Sequence, residues 1–188
     1  VRYNNIVKKI LEQIDLPPDP PALIQKAEDT KLTFDDILSL LKQHEGYRKK
    51  IYSDSLGIPT IGIGFNMTRP DAKRLIKEIG GNYNNLLLGK EELSDEQVLT
   101  LFKINIKTAY SDAKRYLPQF DSLPRNIKLA VLDMSFNLGY PRLSKFVNTK
   151  KYIENGDYRL AGEEILKSKW ATQVKNRVSS LANLFFSS

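Results

Sequence analysis

Glu45, Asp54 and Thr60 lie within sixteen residues of one another, in the stretch Glu45-Gly46-Tyr47-Arg48-Lys49-Lys50-Ile51-Tyr52-Ser53-Asp54-Ser55-Leu56-Gly57-Ile58-Pro59-Thr60-Ile61-Gly62-Ile63-Gly64. The pattern puts the glutamate at a helix end, the aspartate at a strand-to-turn junction and the threonine in the next strand. Carboxyls carried on different elements can face each other across a cleft. Glycosidic cleavage is one chemistry that needs such a pair, one carboxyl protonating the leaving oxygen and the other activating water or attacking carbon. Glu45 is flanked by apolar Leu40, Leu41 and Tyr47, whereas Asp54 stands among Ser53, Ser55 and Gly57. Spacing alone fits equally well a helix-end glutamate and a turn-forming aspartate.

The elements that must hold these residues follow from periodicity. Thr33 and Asp36 form a capping-box start, and Phe34, Ile37, Leu38 and Leu41 give a helical stripe that Gly46 ends. From Arg48 to Phe65 the turn residues break the chain into short β segments, a small sheet. Helix returns at Ala72, Leu75, Ile76 and Ile79, closed by Gly80-Gly81. Ser94-Asp95-Glu96-Gln97 caps a helix reaching Leu117 that is long enough to join two lobes. Shorter helices are predicted at about 124–138, 142–154, 157–167 and 171–185. The fold class is α+β, mainly α: a small lobe with an antiparallel sheet, a long connecting helix and a helical C-terminal lobe.

Composition narrows the chemistry. The 188 residues contain no cysteine, one histidine and one tryptophan. No disulfide framework, thiolate zinc site or cysteine nucleophile is available, and a multi-histidine metal site is disfavoured. No metal or other cofactor is expected, and no apolar run is long enough to span a bilayer. Residues 1–33 carry five basic and five acidic side chains, so the whole net charge of +7 belongs to residues 34–188. Such a surface suits a polyanion. Pro17, Pro18, Pro20 and Pro21 follow a helical stripe of Ile6, Val7, Ile10, Leu11 and Ile14. Residues 1–33 therefore read as an appendage and Pro-rich linker, and residues 34–188 as the main domain.

Glu45, Asp54 and Thr60, at intervals of nine and six, followed by Ile61-Gly62-Ile63-Gly64, resemble the phage-type lysozymes. So do Leu75-Ile76-Lys77-Glu78-Ile79-Gly80, Ser94-Asp95-Glu96 through Leu101-Phe102, and Asp133-Met134-Ser135-Phe136-Asn137-Leu138-Gly139. Lys167-Ser168-Lys169-Trp170 and Gln173-Val174-Lys175-Asn176-Arg177 complete the set, which covers about residues 34–186.

The resemblance implies a two-lobed lysozyme fold with a cleft between the lobes. It also implies hydrolysis of the β-1,4 bond between N-acetylmuramic acid and N-acetylglucosamine in bacterial peptidoglycan, with inversion. It makes Glu45 the general acid, lets Asp54 and Thr60 position the water, and pairs Arg177 with Glu45. That pairing ties up the carboxyl that has to give a proton away. Gly64, Asn66, Phe136, Asn137 and Thr149 match substrate-contact positions. Glu164 falls where the family's best-known member has an amide, Phe65 where it has a histidine and Lys175 where it has a proline. His44 and Trp170 read as structural residues, and Lys49-Lys50 and Lys150-Lys151 as solvated charge.

The expected partner is bacterial peptidoglycan rather than nucleic acid, for which no recognisable motif is present. The resemblance implies action on the wall side, either virion-associated or after holin-assisted release from a host cytoplasm. Residues 1–33 would connect the domain to a protein partner or a parent virion component. The alternative is a catalytically inactive wall-binding or virion structural module of the same fold.

Overall fold

The structure is a computed structural model and describes residues 31–188. The stripe at Ile6–Ile14 and the proline run after it lie outside the described residues. Helix α1 spans Phe34–Glu45 and starts at the anticipated capping box, Thr33 Oγ1 accepting from the Asp36 amide while Asp36 accepts from the Thr33 amide. It buries Phe34, Ile37, Leu38 and Leu41, one helical stripe. Gly46 ends it at φ 78°, a left-handed conformation that favours glycine.

Strands β1 (Arg48–Ser53), β2 (Pro59–Gly62) and β3 (Phe65–Asn66) follow, antiparallel and in that spatial order. Helix α2 (Ala72–Glu78) and a five-residue α3 (Tyr83–Leu87) complete the small lobe. The second of these was not anticipated. Asn82 caps it by accepting from the Asn85 amide, and a single buried leucine, Leu86, anchors it. One such residue leaves no periodic stripe to read.

Helix α4 (Asp95–Tyr116) is the long connection, 22 residues or about 33 Å at 1.5 Å per residue. Its Ser94–Gln97 capping box is fully formed. It packs against β2 and β3 at one end and along α5 (Arg125–Leu143) for much of its length. Helix α5 is the centre of the helical lobe, with Ile127 to Ser135 buried without interruption. Helices α6 (Val147–Glu154), α7 (Tyr158–Leu166), α8 (Lys169–Gln173) and α9 (Lys175–Phe186) complete the lobe, α9 packing on both α5 and α7, α6 on α7, and α8 on α7 and α9.

Two boundaries differ from the sequence reading. The helix predicted over 124–138 ends there at Gly139, which is non-helical (φ 64°, ψ 163°), but the one predicted over 142–154 begins only at Val147, residues 140–143 forming a short helical turn directly after the kink. Asp112 accepts from the Tyr140 amide at 3.2 Å there, and Pro141 has no amide to lose, so the bend leaves few backbone donors unpaired. The helix predicted over 171–185 is two, broken at Val174 (φ −134°, ψ 56°), with Ser168 capping the first.

Although first in sequence, α1 packs against α5. Arg125, the first residue of α5, donates to Asp36 through both Nε and Nη2. The far end of α1, carrying Glu45, is separated from the start of β1 by only two residues, Gly46 and Tyr47. Glu45 therefore stands where helical lobe and sheet lobe join.

Candidate active site

Glu45 is the last residue of α1 and its side chain is 17% exposed. Its Oε1 accepts from Arg177 Nη1 at 2.5 Å. Arg177, on α9, also donates from Nε to Asp133 Oδ1 at 2.7 Å. Asp133, on α5, is 1% exposed and accepts at its second oxygen from His44 Nδ1 at 2.8 Å. Burial works against the charge on Arg177, but Asp133 and then Glu45 outweigh it and hold the guanidinium above arginine's ordinary range. Three elements thus bring four side chains together, two of them 132 residues apart.

The sheet side is built from backbone bonds. Asp54 follows β1 directly. Its Oδ1 accepts from the amides of Leu56 and Ile58, both at 2.8 Å. The turn-forming and catalytic readings of Asp54 are therefore compatible, because only one oxygen is used by the turn. Thr60 is buried and donates its hydroxyl proton to the Ile58 carbonyl at 2.9 Å. Ile58 consequently fixes Asp54 and Thr60 relative to each other.

Register extends this arrangement. Thr60 pairs with Tyr52 on β1 and with Asn66 on β3, so the three side chains form a row on one face of the sheet. Tyr52 donates to the Glu45 carbonyl at 3.0 Å, joining the row to the end of α1. Burial, then the Glu45 charge, pushes the Tyr52 phenol above its ordinary range, so it remains a donor. Asn66 accepts at one oxygen from both the amide and the hydroxyl of Thr68, at 2.7 Å each. Gly64, between β2 and β3, lies against the Glu45 carboxyl.

The remaining candidates lie on the helical side. Phe136 and Asn137 follow Asp133 by three and four residues, so all three share a face of α5. Phe136 is half-buried and packs on Phe102, with ring centres 5.9 Å apart. Asn137 accepts from Trp170 Nε1 at 2.9 Å. Trp170 and Thr149 line a separate cavity with Asn148, Glu164 and Lys167. Trp170 is 4% exposed and packs edge-on against Phe146, consistent with its structural reading. Thr149 is fully buried, and its hydroxyl has no partner among the described residues. Glu164 is held by Asn148 at 3.0 Å. The candidates therefore fall into two groups, one around Glu45 and one around the cavity that Thr149 lines. Among the described residues no group of acids and histidine is placed to hold a metal ion, and no helix is long and apolar enough to cross a membrane.

Sequence reasoning gave no role to Asp133 and read His44 as a helix-end residue. The available signal was an aspartate inside the apolar run Ala130-Val131-Leu132-Asp133-Met134, since a carboxylate is seldom fully buried unless paired. Lys49 and Lys150, read as solvated, have acidic neighbours in Asp95 at 3.0 Å and Glu154 at 3.7 Å.

Comparison with known proteins agrees with this architecture. The chain is 29% identical to a probable T4-type lysozyme 2 of Dictyostelium discoideum over 154 residues, 78% of this chain and 91% of that protein. It is 26% identical over 150 residues to a probable T4-type lysozyme 1 of the same organism, covering 75% of this chain and 88% of the relative. It is also 27% identical over 154 residues to the pre-baseplate central spike protein Gp5 of Enterobacteria phage T4. That match takes in 74% of this chain but only 26% of the spike protein. The family model for phage lysozyme matches residues 42–183, a span running from the end of α1 into α9 and including Glu45, Asp54, Thr60 and Arg177, and the chain belongs to the phage lysozyme family.

Proposed function

We propose that this chain is a muramidase, cleaving the β-1,4 bond between N-acetylmuramic acid and N-acetylglucosamine in bacterial peptidoglycan with inversion. The observation that carries the reading is the division of bonds at Asp54 and Thr60. Asp54 spends Oδ1 on two backbone amides, leaving Oδ2 without a donor among the described residues. Thr60 spends its proton on the Ile58 carbonyl, leaving hydroxyl lone pairs. Two acceptors can therefore take the two protons of one water, turning its oxygen lone pair towards a sugar carbon.

Glu45 supplies the other half of the reaction. Bound glycan desolvates the Glu45 carboxyl, which takes up a proton from solvent despite Arg177, and that proton passes to the glycosidic oxygen as the bond from that oxygen to the anomeric carbon breaks. The water attacks that carbon from the opposite face and gives a proton to Asp54. Arg177 holds the Glu45 carboxyl in place, and Gly64 lets the β2–β3 turn approach it closely. Gly64, Asn66, Phe136 and Asn137 are proposed to contact the glycan and its substituents, with Thr149, fully buried, shaping the wall of the neighbouring cavity rather than touching sugar in this arrangement. No cofactor enters the reaction.

The test is release of reducing ends and loss of turbidity from purified peptidoglycan. Wild type should clear the wall, while Glu45→Gln and Asp54→Asn should lose at least about a hundredfold in rate. Clearing by Glu45→Gln at the wild-type rate would remove Glu45 from the acid role. Wall binding without any reducing ends would favour an inactive wall-binding or virion structural module of the same fold.

Residues 1–33 are proposed to connect the lysozyme domain to a protein partner or parent virion component. Thr33 caps α1, so the separable part ends before it. A chain lacking residues 1–30 should keep its hydrolytic rate and lose the partner. Loss of folding instead would make the segment part of the core.

A further inference from the structure

His44 and Glu45 are neighbours on α1, yet their side chains reach the same guanidinium by different routes. Glu45 takes Arg177 Nη1 directly. His44 reaches it through Asp133, whose Oδ2 faces His44 Nδ1 and whose Oδ1 accepts from Arg177 Nε. With the α1 backbone between residues 44 and 45, these contacts close a ring.

We propose that His44 and Asp133 are positioning residues for the Glu45 carboxyl, acting through Arg177. This rests on the reading of Glu45 as the general acid. A guanidinium is planar, with its donors in a fixed fork. Once Asp133 takes Nε, the direction of Nη1 is set, and with it the place where Glu45 can sit. Asp133 is in turn held from α1 by the imidazole. The side chains of His44, Asp133 and Arg177 are 6%, 1% and 7% exposed, so water competes little for these bonds. A shift of α9 relative to α1 would break contacts on both arms of the ring rather than one.

The ring also dictates a tautomer. A carboxylate only accepts, so neutral His44 must carry its proton on Nδ1. Its Nε2 is then a bare acceptor, and it is buried without a partner among the described residues. An Nε2–H would leave both that proton and the Asp133 oxygen unsatisfied.

The chain's single histidine makes this directly observable. Long-range proton–nitrogen NMR of the full chain, at a pH where the imidazole is neutral, should show the Nδ1-protonated form. The Nε2-protonated form would overturn the proposal. Kinetics on purified peptidoglycan supply the second readout. His44→Leu should lower kcat by about tenfold to a hundredfold with KM nearly unchanged. His44→Asn places an amide donor where Nδ1 stood and should recover most of kcat. Wild-type kcat in His44→Leu, a loss confined to KM, or no recovery in His44→Asn would each count against it. If His44→Leu does not fold, the tautomer and the Asn variant still decide. Full activity of Glu45→Gln would instead overturn the role of Glu45, leaving the tautomer result untouched.

Discussion

A Cβ built on Gly64 would lie 2.7 Å from Glu45 Oε2 and 2.8 Å from its carboxyl carbon. Gly64 also has φ 63°, a left-handed conformation that costs a residue with a side chain about 1–2 kcal/mol. A carboxyl at the end of a flexible side chain could ordinarily swing aside. Here Arg177 holds it at 2.5 Å, so the added methyl and the guanidinium compete for its position. Gly64→Ala should therefore damage activity more than stability. Hydrolysis is expected to fall by about tenfold to a hundredfold, since misplacement of about 1 Å can cost that much. A variant with the wild-type rate would show that Glu45 need not stay where it lies.

Arg177 gives a second prediction. Arg177→Met keeps much of the side-chain volume and removes a cation that faces two carboxylates, one of them 1% exposed. Stripping one partner from a buried ion pair costs about 3–5 kcal/mol. Chemical denaturation should show a loss of that order. Adding Asp133→Asn should restore part of it, because the most buried uncompensated charge is gone. If the double variant is no more stable than Arg177→Met, the stranded Asp133 charge is not the cause of the loss.

The site shows what local pattern can and cannot reveal. The capping boxes at Thr33 and Ser94 set the starts of α1 and α4, and both are legible in four residues. The placement of Glu45, Asp54 and Thr60 on helix end, turn and strand was legible for the same reason. The pairing of His44 with Asp133 spans 89 residues and depends on how α1 packs on α5, which no local pattern encodes. The stop predicted near 138 was legible too: Gly139, at φ 64° and ψ 163°, breaks the helix there. What the local pattern did not show is that Asp112 on α4 takes the amide of Tyr140 just after the break.

Trp170 offers a third prediction because the chain has no other tryptophan. It borders a cavity of about 620 Å³ and touches Asn137 through Nε1. If glycan or its substituents occupy that region, titration of soluble wall fragments into the catalytically impaired Glu45→Gln variant should change the tryptophan emission saturably. Trp170→Phe removes the indole donor to Asn137 and should raise KM more than it lowers kcat. Emission that stays constant while binding is detected by another method would place the ligand away from Asn137 and Thr149.

The tie between α1 and α5 makes stability depend on pH in a defined direction. Burial of Asp36 opposes its charge, but hydrogen bonds from Arg125 and Thr33 prevail and lower its pKa below the ordinary value of 3.8. The folded state therefore binds the Asp36 proton less readily than the unfolded chain. The resulting stabilisation is fully present above the unfolded value and disappears as pH falls through the lower folded one. Asp36→Asn retains an oxygen that can accept the Thr33 amide, so it removes charge while leaving a means of capping α1. The side chain of Arg125 is 40% exposed, and solvent screening keeps the expected effect to about 1 kcal/mol or less. Denaturation midpoints of wild type and Asp36→Asn should differ by a constant amount from neutral pH down to about pH 5 and converge below about pH 4. A gap that persists undiminished into strong acid would mean that the Asp36 charge does not provide the tie.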